Sequence, residues 1–216
     1  MTEDLTLPEI RAALAPAIAA NAAFDGWGAE ARDYAADGAE IDRDVARLAL
    51  PSAVAMIDAW FAQVDAVMVT AVPDEALAGM KINGRISAQV EARLTAVAPD
   101  REALRRALAI LAQPQHLAIA ARLGWRTADL IWRRAGDVAT DYNHYTKRRI
   151  LLGVYGATVT VFLDDESRDF GDTRAFLARR IAGILRFEKT KAAALKRASL
   201  RPSLSRFVGR LRYPVV

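Results

Sequence analysis

Residues 51–68 read PSAVAMIDAWFAQVDAVM, and this stretch decides the fold class. Its large apolar residues recur at spacings of three, four, three and four: Val54, Ile57, Phe61, Val64 and Met68. That spacing places one apolar stripe along a helix. We expect an amphipathic core helix that begins at Pro51, since proline suits the first helical position. The polar residues Asp58, Gln63 and Asp65 are predicted to face away from the stripe.

Helical patterns continue on both sides of this stretch. Three short helices are predicted before it, one at 7–22, one ending near Asp37 and one at 41–48. The helices predicted after it lie at about 76–97, 101–112, 114–123, 125–134, 146–164 and 173–196, with Asp172 or Thr173 as the cap of the last one. The polar stretch 137–145 is predicted to be a loop or a frayed helix start. A β-like run at 158–162 has no partner strand. The sequence therefore predicts an all-α chain.

Composition argues against several classes of function. The 216 residues include no cysteine and two histidines, His116 and His144, while 53% are hydrophobic. A disulfide framework, a thiolate metal site and a self-contained zinc or di-iron site are therefore not expected. Phosphate-binding glycine loops and the nucleophile-elbow motif are also missing from the sequence. We predict a binding protein with no cofactor, no metal and no catalytic residues.

Charge is distributed unevenly along the chain. Residues 1–80 carry a net charge of −10, whereas residues 174–216 carry +11. The basic C-terminal part suggests an anionic partner or a solubilising arm. The acidic start carries no signal-peptide pattern, and the uncharged run 150–163 is too short to span a bilayer. We therefore expect a cytoplasmic protein that does not cross a membrane.

Three short helices, a long helix and a larger helical body are the layout of TetR-type regulators, which the chain resembles. In such a fold the helix at 41–48 would read DNA. That helix holds two aspartates and two arginines within a strongly acidic region, so it does not supply the cationic phosphate contacts that duplex DNA requires. We therefore expect the fold without nucleic-acid binding. The main alternative is a TetR-type transcriptional regulator that responds to a hydrophobic effector.

The C-terminal segment is predicted to be a basic amphipathic helix on a membrane surface. Its apolar residues fall on one helical face with arginines beside them: Leu200, Arg201, Leu204, Arg206, Phe207, Val208, Arg210 and Leu211. Packing on the protein's own body and nucleic-acid binding are the alternatives. The predicted organisation is a degenerate helix-turn-helix region at 1–50, a lipid-binding and dimerisation body at 51–198 and the amphipathic helix at 199–216.

Two motifs identify a family. Residues 131–148 read IWRRAGDVATDYNHYTKR, which resembles W-x-x-A-G-D-x-S-T-D-x-N-W-Y-T-K/R-R of the ubiquinone-biosynthesis accessory proteins numbered nine in the coenzyme Q series. Residues 169–181, DFGDTRAFLARRI, are similar to the D-F-x-D-T-x-x-F-L-x-x-R-I of the same family. Phe24-Asp-Gly-Trp also fits. The likeness is predicted to span about 7–213, with Ala139 and His144 as departures from the pattern.

The resemblance implies a TetR-like homodimer that binds no DNA and holds an isoprenoid quinone or another lipid. It implies a peripheral membrane protein that presents quinone intermediates to a di-iron demethoxyubiquinone hydroxylase. The expected location is the inner face of the plasma membrane in a bacterium, or the matrix side of the inner mitochondrial membrane in a eukaryote. The hydroxylase-binding candidates carried over from the motif are Asp141, His144 and Tyr145.

Large apolar residues on the middle helices are the candidates for a lipid-binding wall: Trp60, Phe61, Met68, Trp125, Ile131 and Trp132. Core packing is the simpler interpretation of any one of them, so a pocket requires several around a common cavity. Asp137 and Asp141 are interpreted as capping residues rather than paired acids. The small residues Gly153, Gly156 and Ala157 suit either a dimer interface or close packing within the chain.

Overall fold

The structure, a computed structural model, describes residues 5–137 and 142–184. The chain divides into two compact units, 1–177 and 178–216. All regular structure in the described ranges is helical, which confirms the predicted all-α class. The named helices of the first unit are α1 (Leu7–Asp25), α2 (Ala29–Gly38), α3 (Arg43–Ala49), α4 (Ala53–Ala71), α5 (Asp74–Ala78), α6 (Ile82–Val97), α7 (Arg101–Leu111), α8 (Leu117–Arg134) and α9 (Tyr142–Leu163).

The second unit is described only over 178–184, and these residues are helical, as are 171–177 at the end of the first unit. The predicted domain boundary between 198 and 199 lies outside the described residues.

The first three helices form as predicted. At the start of α1, Thr6 and Glu9 make a reciprocal capping box, and Ile10, Leu14 and Ile18 are buried along one face. The fourth predicted stripe residue, Leu7, is 42% exposed because it stands at the first helical position. Helix α3 begins after Asp42, whose carboxylate accepts hydrogen bonds from the backbone amides of Asp44 and Val45.

Helix α4 is the core helix that residues 51–68 predict. It packs against α1, α6, α7 and α8. Its cap is Ser52, whose hydroxyl accepts from the amide of Ala55, so the helix begins two residues after Pro51. Of the described helices, α4 alone is long and apolar enough to cross a membrane, although 44% of its most apolar stretch is buried inside the protein.

The predicted orientation of one polar residue of α4 is wrong. Asp65 is buried, not turned away from the apolar stripe, because it pairs with Arg93 of α6. The partner lies 28 positions further along the chain. Helical periodicity describes one helix at a time, so it cannot reveal an ion-pair partner on another helix.

Several predicted helix boundaries were also wrong. The expected helix at 76–97 is divided into α5 and α6, with Gly79 ending the first and Lys81 preceding the second. The two helices expected between Pro114 and Arg134 are the single helix α8 after a 3₁₀ turn. The stretch 137–145, expected to be a loop or a frayed helix start, contains the start of α9 at Tyr142.

The amides in the first turn of the last described helix are capped by the side chains of Asp165 and Ser167, not by Asp172 or Thr173. The buried carboxylate of Asp165 accepts hydrogen bonds from the amide and the hydroxyl of Ser167 and from the amide and the hydroxyl of Thr173, at 2.5–2.8 Å. Burial alone would raise the pKa of Asp165, but the bonds from Ser167 and Thr173 outweigh it and hold the pKa well below its usual range.

Replacing Asp165 with asparagine is expected to lower the free energy of unfolding by about 2 kcal/mol at pH 7, because charge-assisted hydrogen bonds are lost. A depressed native pKa stabilises the fold only above the unfolded pKa, near about 4, and that contribution fades as the pH falls toward the native pKa. The difference between D165N and the parent should therefore narrow below about pH 4. Urea unfolding at several pH values measures it.

The control is Asp164→Asn, because Asp164 is exposed and pairs only at the surface with Arg105. The D164N substitution should lower the free energy of unfolding by less than about 1 kcal/mol. Equal losses in D164N and D165N at pH 7 would contradict the capping role.

Candidate functional site

A cavity of about 400 Å³ lies among α4, α6, α7, α8 and α9. Twelve of its sixteen lining residues are apolar or glycine: Phe61, Leu104, Leu108, Leu111, Ala112, Leu117, Ala120, Leu123, Gly124, Leu152, Gly156 and Val159. Exposed residues stand at its edge, including Leu117, Gly156 and Thr160, so the cavity is open on one side. Its volume and apolar wall are those of a site for a small hydrophobic ligand.

Small residues make room for the cavity. A Cβ on Gly156 would meet no other atom within 4 Å, so this position on α9 is open space. Gly124 has the opposite function, because a Cβ there would come within 2.4 Å of the Leu152 side chain. That glycine lets α8 and α9 close against each other beside the cavity.

Polar atoms are concentrated on the inner wall. Arg93 is 2% exposed, and its Nε donates a 2.7 Å hydrogen bond to Asp65. Its Nη1 donates to the hydroxyl of Tyr155. The guanidinium lies between two rings, 5.3 Å from the centroid of Phe61 and 5.1 Å from that of Tyr155. Thr127 adds a hydroxyl that donates to Asp65 at 3.1 Å.

The ionisation of this cluster follows from its burial. Burial raises the pKa of Tyr155, so its hydroxyl keeps its proton at neutral pH. Burial by itself would lower the pKa of Arg93, but the oxygens of Tyr155 and Asp65 outweigh it and leave the pKa raised. The inner wall therefore presents a cation that is neutralised by Asp65, together with a neutral phenol.

The structure brings one predicted lipid-binding residue, Phe61, onto this wall. Trp60 instead fills the core against Trp27, with ring centroids 5.4 Å apart. Met68 is fully buried and does not line the cavity. Ile131 borders only a small void that it shares with Gly124 and Leu151, and it is otherwise a core residue.

The two remaining candidates, Trp125 and Trp132, also lie off the cavity. Trp132 donates from Nε1 to the carbonyl of Lys147 at 3.0 Å, and the ammonium of Lys147 stands 5.4 Å from its ring centroid. Large aromatic side chains occupy space, so they mark the packed core better than they mark a void. Small residues at apolar helix positions also line the cavity. The sequence analysis considered only large apolar residues and therefore did not include them.

Trp125 belongs to an aromatic group with two of the predicted partner-binding residues, His144 and Tyr145, and of the three only Tyr145 is exposed. The ring centroid of Trp125 lies 6.3 Å from that of His144 and 5.9 Å from that of Tyr145. Tyr145 is 55% exposed. The third predicted partner-binding residue, Asp141, lies outside the described residues.

The first acidic residue of the motif at 131–148, Asp137, has structural contacts. The side chain of Asp137 is buried and pairs with Lys147 at 2.7 Å and with Arg148 at 3.0 Å. Arg148 also pairs with Asp129 of α8 at 2.6 Å. Asp137 thus belongs to an ion-pair cluster that fastens the start of α9 to the end of α8.

Both cations of α3 are engaged by neighbouring acids. Arg43 pairs with Asp37 at 2.5 Å, and Arg47 pairs with Asp44 at 2.8 Å. The predicted membrane-binding residues, from Leu200 to Leu211, lie outside the described residues. No group of three or more potential metal ligands occurs within the described ranges.

Residues 117–188 match the COQ9 family model. The rat mitochondrial ubiquinone biosynthesis protein COQ9 is 44% identical over 92 residues, which is 43% of this chain and 30% of the rat protein. The human mitochondrial protein of the same name is 40% identical over 92 residues, 43% of this chain and 29% of that protein. The match thus spans about a third of the length of these relatives. The resemblance predicted from the motifs is confirmed, over a shorter stretch than the expected 7–213.

The crystal structure of a TetR transcriptional regulator from Nitrosomonas europaea superposes with a TM-score of 0.65. The alignment covers 80% of this chain and 95% of that chain, at 23% sequence identity. At this identity the likeness concerns the fold, and it confirms the predicted TetR-like helical architecture.

The inner wall gives a test of stability. Replacing Asp65 with asparagine leaves the buried cation of Arg93 without its counter-charge, so we expect a loss of about 3–5 kcal/mol in the free energy of unfolding. The double variant Asp65→Leu, Arg93→Met removes both charges and should recover much of that loss. Urea unfolding of the two variants and of the parent measures both effects. A double variant no more stable than D65N would contradict a paired burial of the charges.

Proposed function

We propose that the chain is an accessory protein of ubiquinone biosynthesis that binds an isoprenoid quinone intermediate in the apolar cavity and presents it to a demethoxyubiquinone hydroxylase. One observation carries the proposal. The segment that matches the COQ9 family, 117–188, contains ten of the sixteen cavity-lining residues, all on α8 and α9. The family resemblance and the cavity therefore coincide in the same two helices.

The dimensions of the cavity agree with a ligand that is only partly enclosed. About 400 Å³ is near the lower limit of pockets that hold drug-sized molecules. A quinone ring and the first part of a tail fit such a volume, and the rest of a long prenyl tail extends through the open side. A membrane surface would receive that tail, and the basic amphipathic pattern of residues 199–211 would hold the protein there.

The protein performs no oxidation in this proposal. Its contribution is to remove an apolar intermediate from the bilayer and to hold it for a separate enzyme. The hydroxylase is proposed to dock on the half-buried His144 and the exposed Tyr145, at the start of the same helix α9 that lines the cavity. The relatives carry mitochondrial names, which agrees with the matrix side of the inner mitochondrial membrane as the proposed site of action in a eukaryote.

A transcriptional regulator is the less favoured alternative. The arginines of α3 are paired with Asp37 and Asp44, and residues 1–80 carry a net charge of −10. A DNA reader needs several cations free for phosphate contacts. The likeness to a TetR regulator is a likeness of fold and does not transfer DNA binding to this chain.

Lipid binding is tested by filling the cavity from α9. Gly156→Phe places a ring in open space on the cavity wall, so we expect the quinone recovered from the purified protein to fall about tenfold or more. Mass spectrometry of an organic extract, compared with a mock purification, measures it. Gly153→Phe is the matched control, since Gly153 lies one turn earlier, also in open space, and does not line the cavity.

The G153F protein should keep its quinone. Loss from both glycine variants, retention in both, or a parent extract without quinone would contradict binding in this cavity.

Partner docking is tested at Tyr145. Truncation of an exposed aromatic residue at the centre of an interface costs about 2 kcal/mol or more, so Tyr145→Ala should weaken hydroxylase binding by about thirtyfold. Surface plasmon resonance with the hydroxylase of the same organism measures it. Tyr34→Ala is the control, because Tyr34 is similarly exposed and stands on α2. Equal affinities of the Y145A and Y34A proteins would contradict the docking site.

A further inference from the structure

The hydroxyl of Tyr155 has an unused donor on the cavity wall. Its oxygen accepts a hydrogen bond from Nη1 of Arg93. Arg93 is the hydrogen-bond partner of this hydroxyl among the described residues, and a guanidinium cannot accept a hydrogen bond. The hydrogen of the hydroxyl therefore has no acceptor within the described residues. A phenol that keeps its proton and faces an apolar space requires an acceptor, since an unsatisfied buried donor is costly.

Arg93 strengthens this donor. A hydrogen bond accepted from a cation polarises the O–H bond, so the phenol donates more strongly than it would alone. The ion pair with Asp65 and the two flanking rings hold the guanidinium in place. Tyr155 is thus oriented before any ligand arrives.

We propose that Tyr155 donates its hydrogen bond to a carbonyl oxygen of the bound ring and thereby orients the ligand with its head toward Arg93 and its tail toward the open side of the cavity. This inference rests on the proposed function and adds the group that selects an oxidised, carbonyl-bearing ring. Arg93 is almost wholly buried, whereas Leu117 is 55% exposed, so the polar wall is the inner end and the apolar rim is the outer end.

The neighbouring polar groups do not replace Tyr155 in this task. The hydroxyl of Thr127 is committed to the carboxylate of Asp65, at 3.1 and 3.2 Å from its two oxygens. Thr160 donates to the carbonyl of Gly156 at 3.1 Å and is exposed. Of the three neutral hydroxyls that line the cavity, those of Thr127, Tyr155 and Thr160, only that of Tyr155 has no acceptor among the described residues.

The test compares two probes that have a six-membered carbon ring and the same alkyl tail. One is a benzoquinone with a short alkyl tail, and the other is an alkylbenzene with the same tail and no carbonyl. Tyr155→Phe removes one oxygen and keeps the ring, so we expect the Kd of the quinone to rise about fivefold and the Kd of the alkylbenzene to change less than about twofold. Isothermal titration calorimetry on the full chain measures both.

Thr158→Val is the matched control. Thr158 is a buried hydroxyl on α9 that bonds only to the carbonyl of Val154 and does not line the cavity. T158V should leave the ratio of the two dissociation constants unchanged, even where it lowers the melting temperature. Circular dichroism of Y155F and T158V establishes that both are folded.

The outcomes separate this inference from the proposed function. Equal weakening of both probes in Y155F makes the hydroxyl structural and overturns the inference, while cavity binding stands. If Y155F binds the quinone with the same Kd as the parent, the carbonyls contact other groups, and the inference is also overturned. Failure of both probes to bind the parent overturns the proposed function itself.

Discussion

A carboxylate and a guanidinium buried against each other are the contact on which the first unit depends. Asp65 comes from α4 and Arg93 from α6, and the hydroxyls of Thr127 on α8 and Tyr155 on α9 complete their hydrogen bonds. A buried charge is tolerated only while it is paired, so these four helices are held in one register. Three of these four residues, Arg93, Thr127 and Tyr155, line the cavity, so the fold and the site share one set of bonds.

Much of the architecture was predictable because it is encoded locally. The stripe from Val54 to Met68 predicted α4, and the polar residues around 38–42 predicted the break before α3. The parts that failed depend on distant partners. Asp65 was predicted to be exposed since aspartate is seldom buried without a partner, and its partner stands on another helix. The cap at Asp165 was missed because the chain loops back over eight residues to reach Thr173.

The candidate site was harder to predict than the fold. The motif at 131–148 predicted the resemblance to COQ9 proteins, and the match to that family model spans residues 117–188. Yet the six large apolar residues chosen for the lipid-binding wall included a single wall residue, Phe61. A cavity forms where side chains are absent, so its markers are small residues such as Ala120 and Gly156. Their effect depends on how far α8 and α9 diverge, which no single helix pattern specifies.

The open side of the cavity has a consequence for the rate at which a ligand is exchanged. Among the described residues, Leu117, Gly156 and Thr160 border the opening as parts of helices, and they are exposed without a covering segment described over them. None of the described helices has to move for a ligand to leave through this opening, so within the described part of the chain its residence time is set by the contacts of the bound molecule. Rapid exchange suits a protein that transfers its ligand onward, whereas a closed cavity would suit storage.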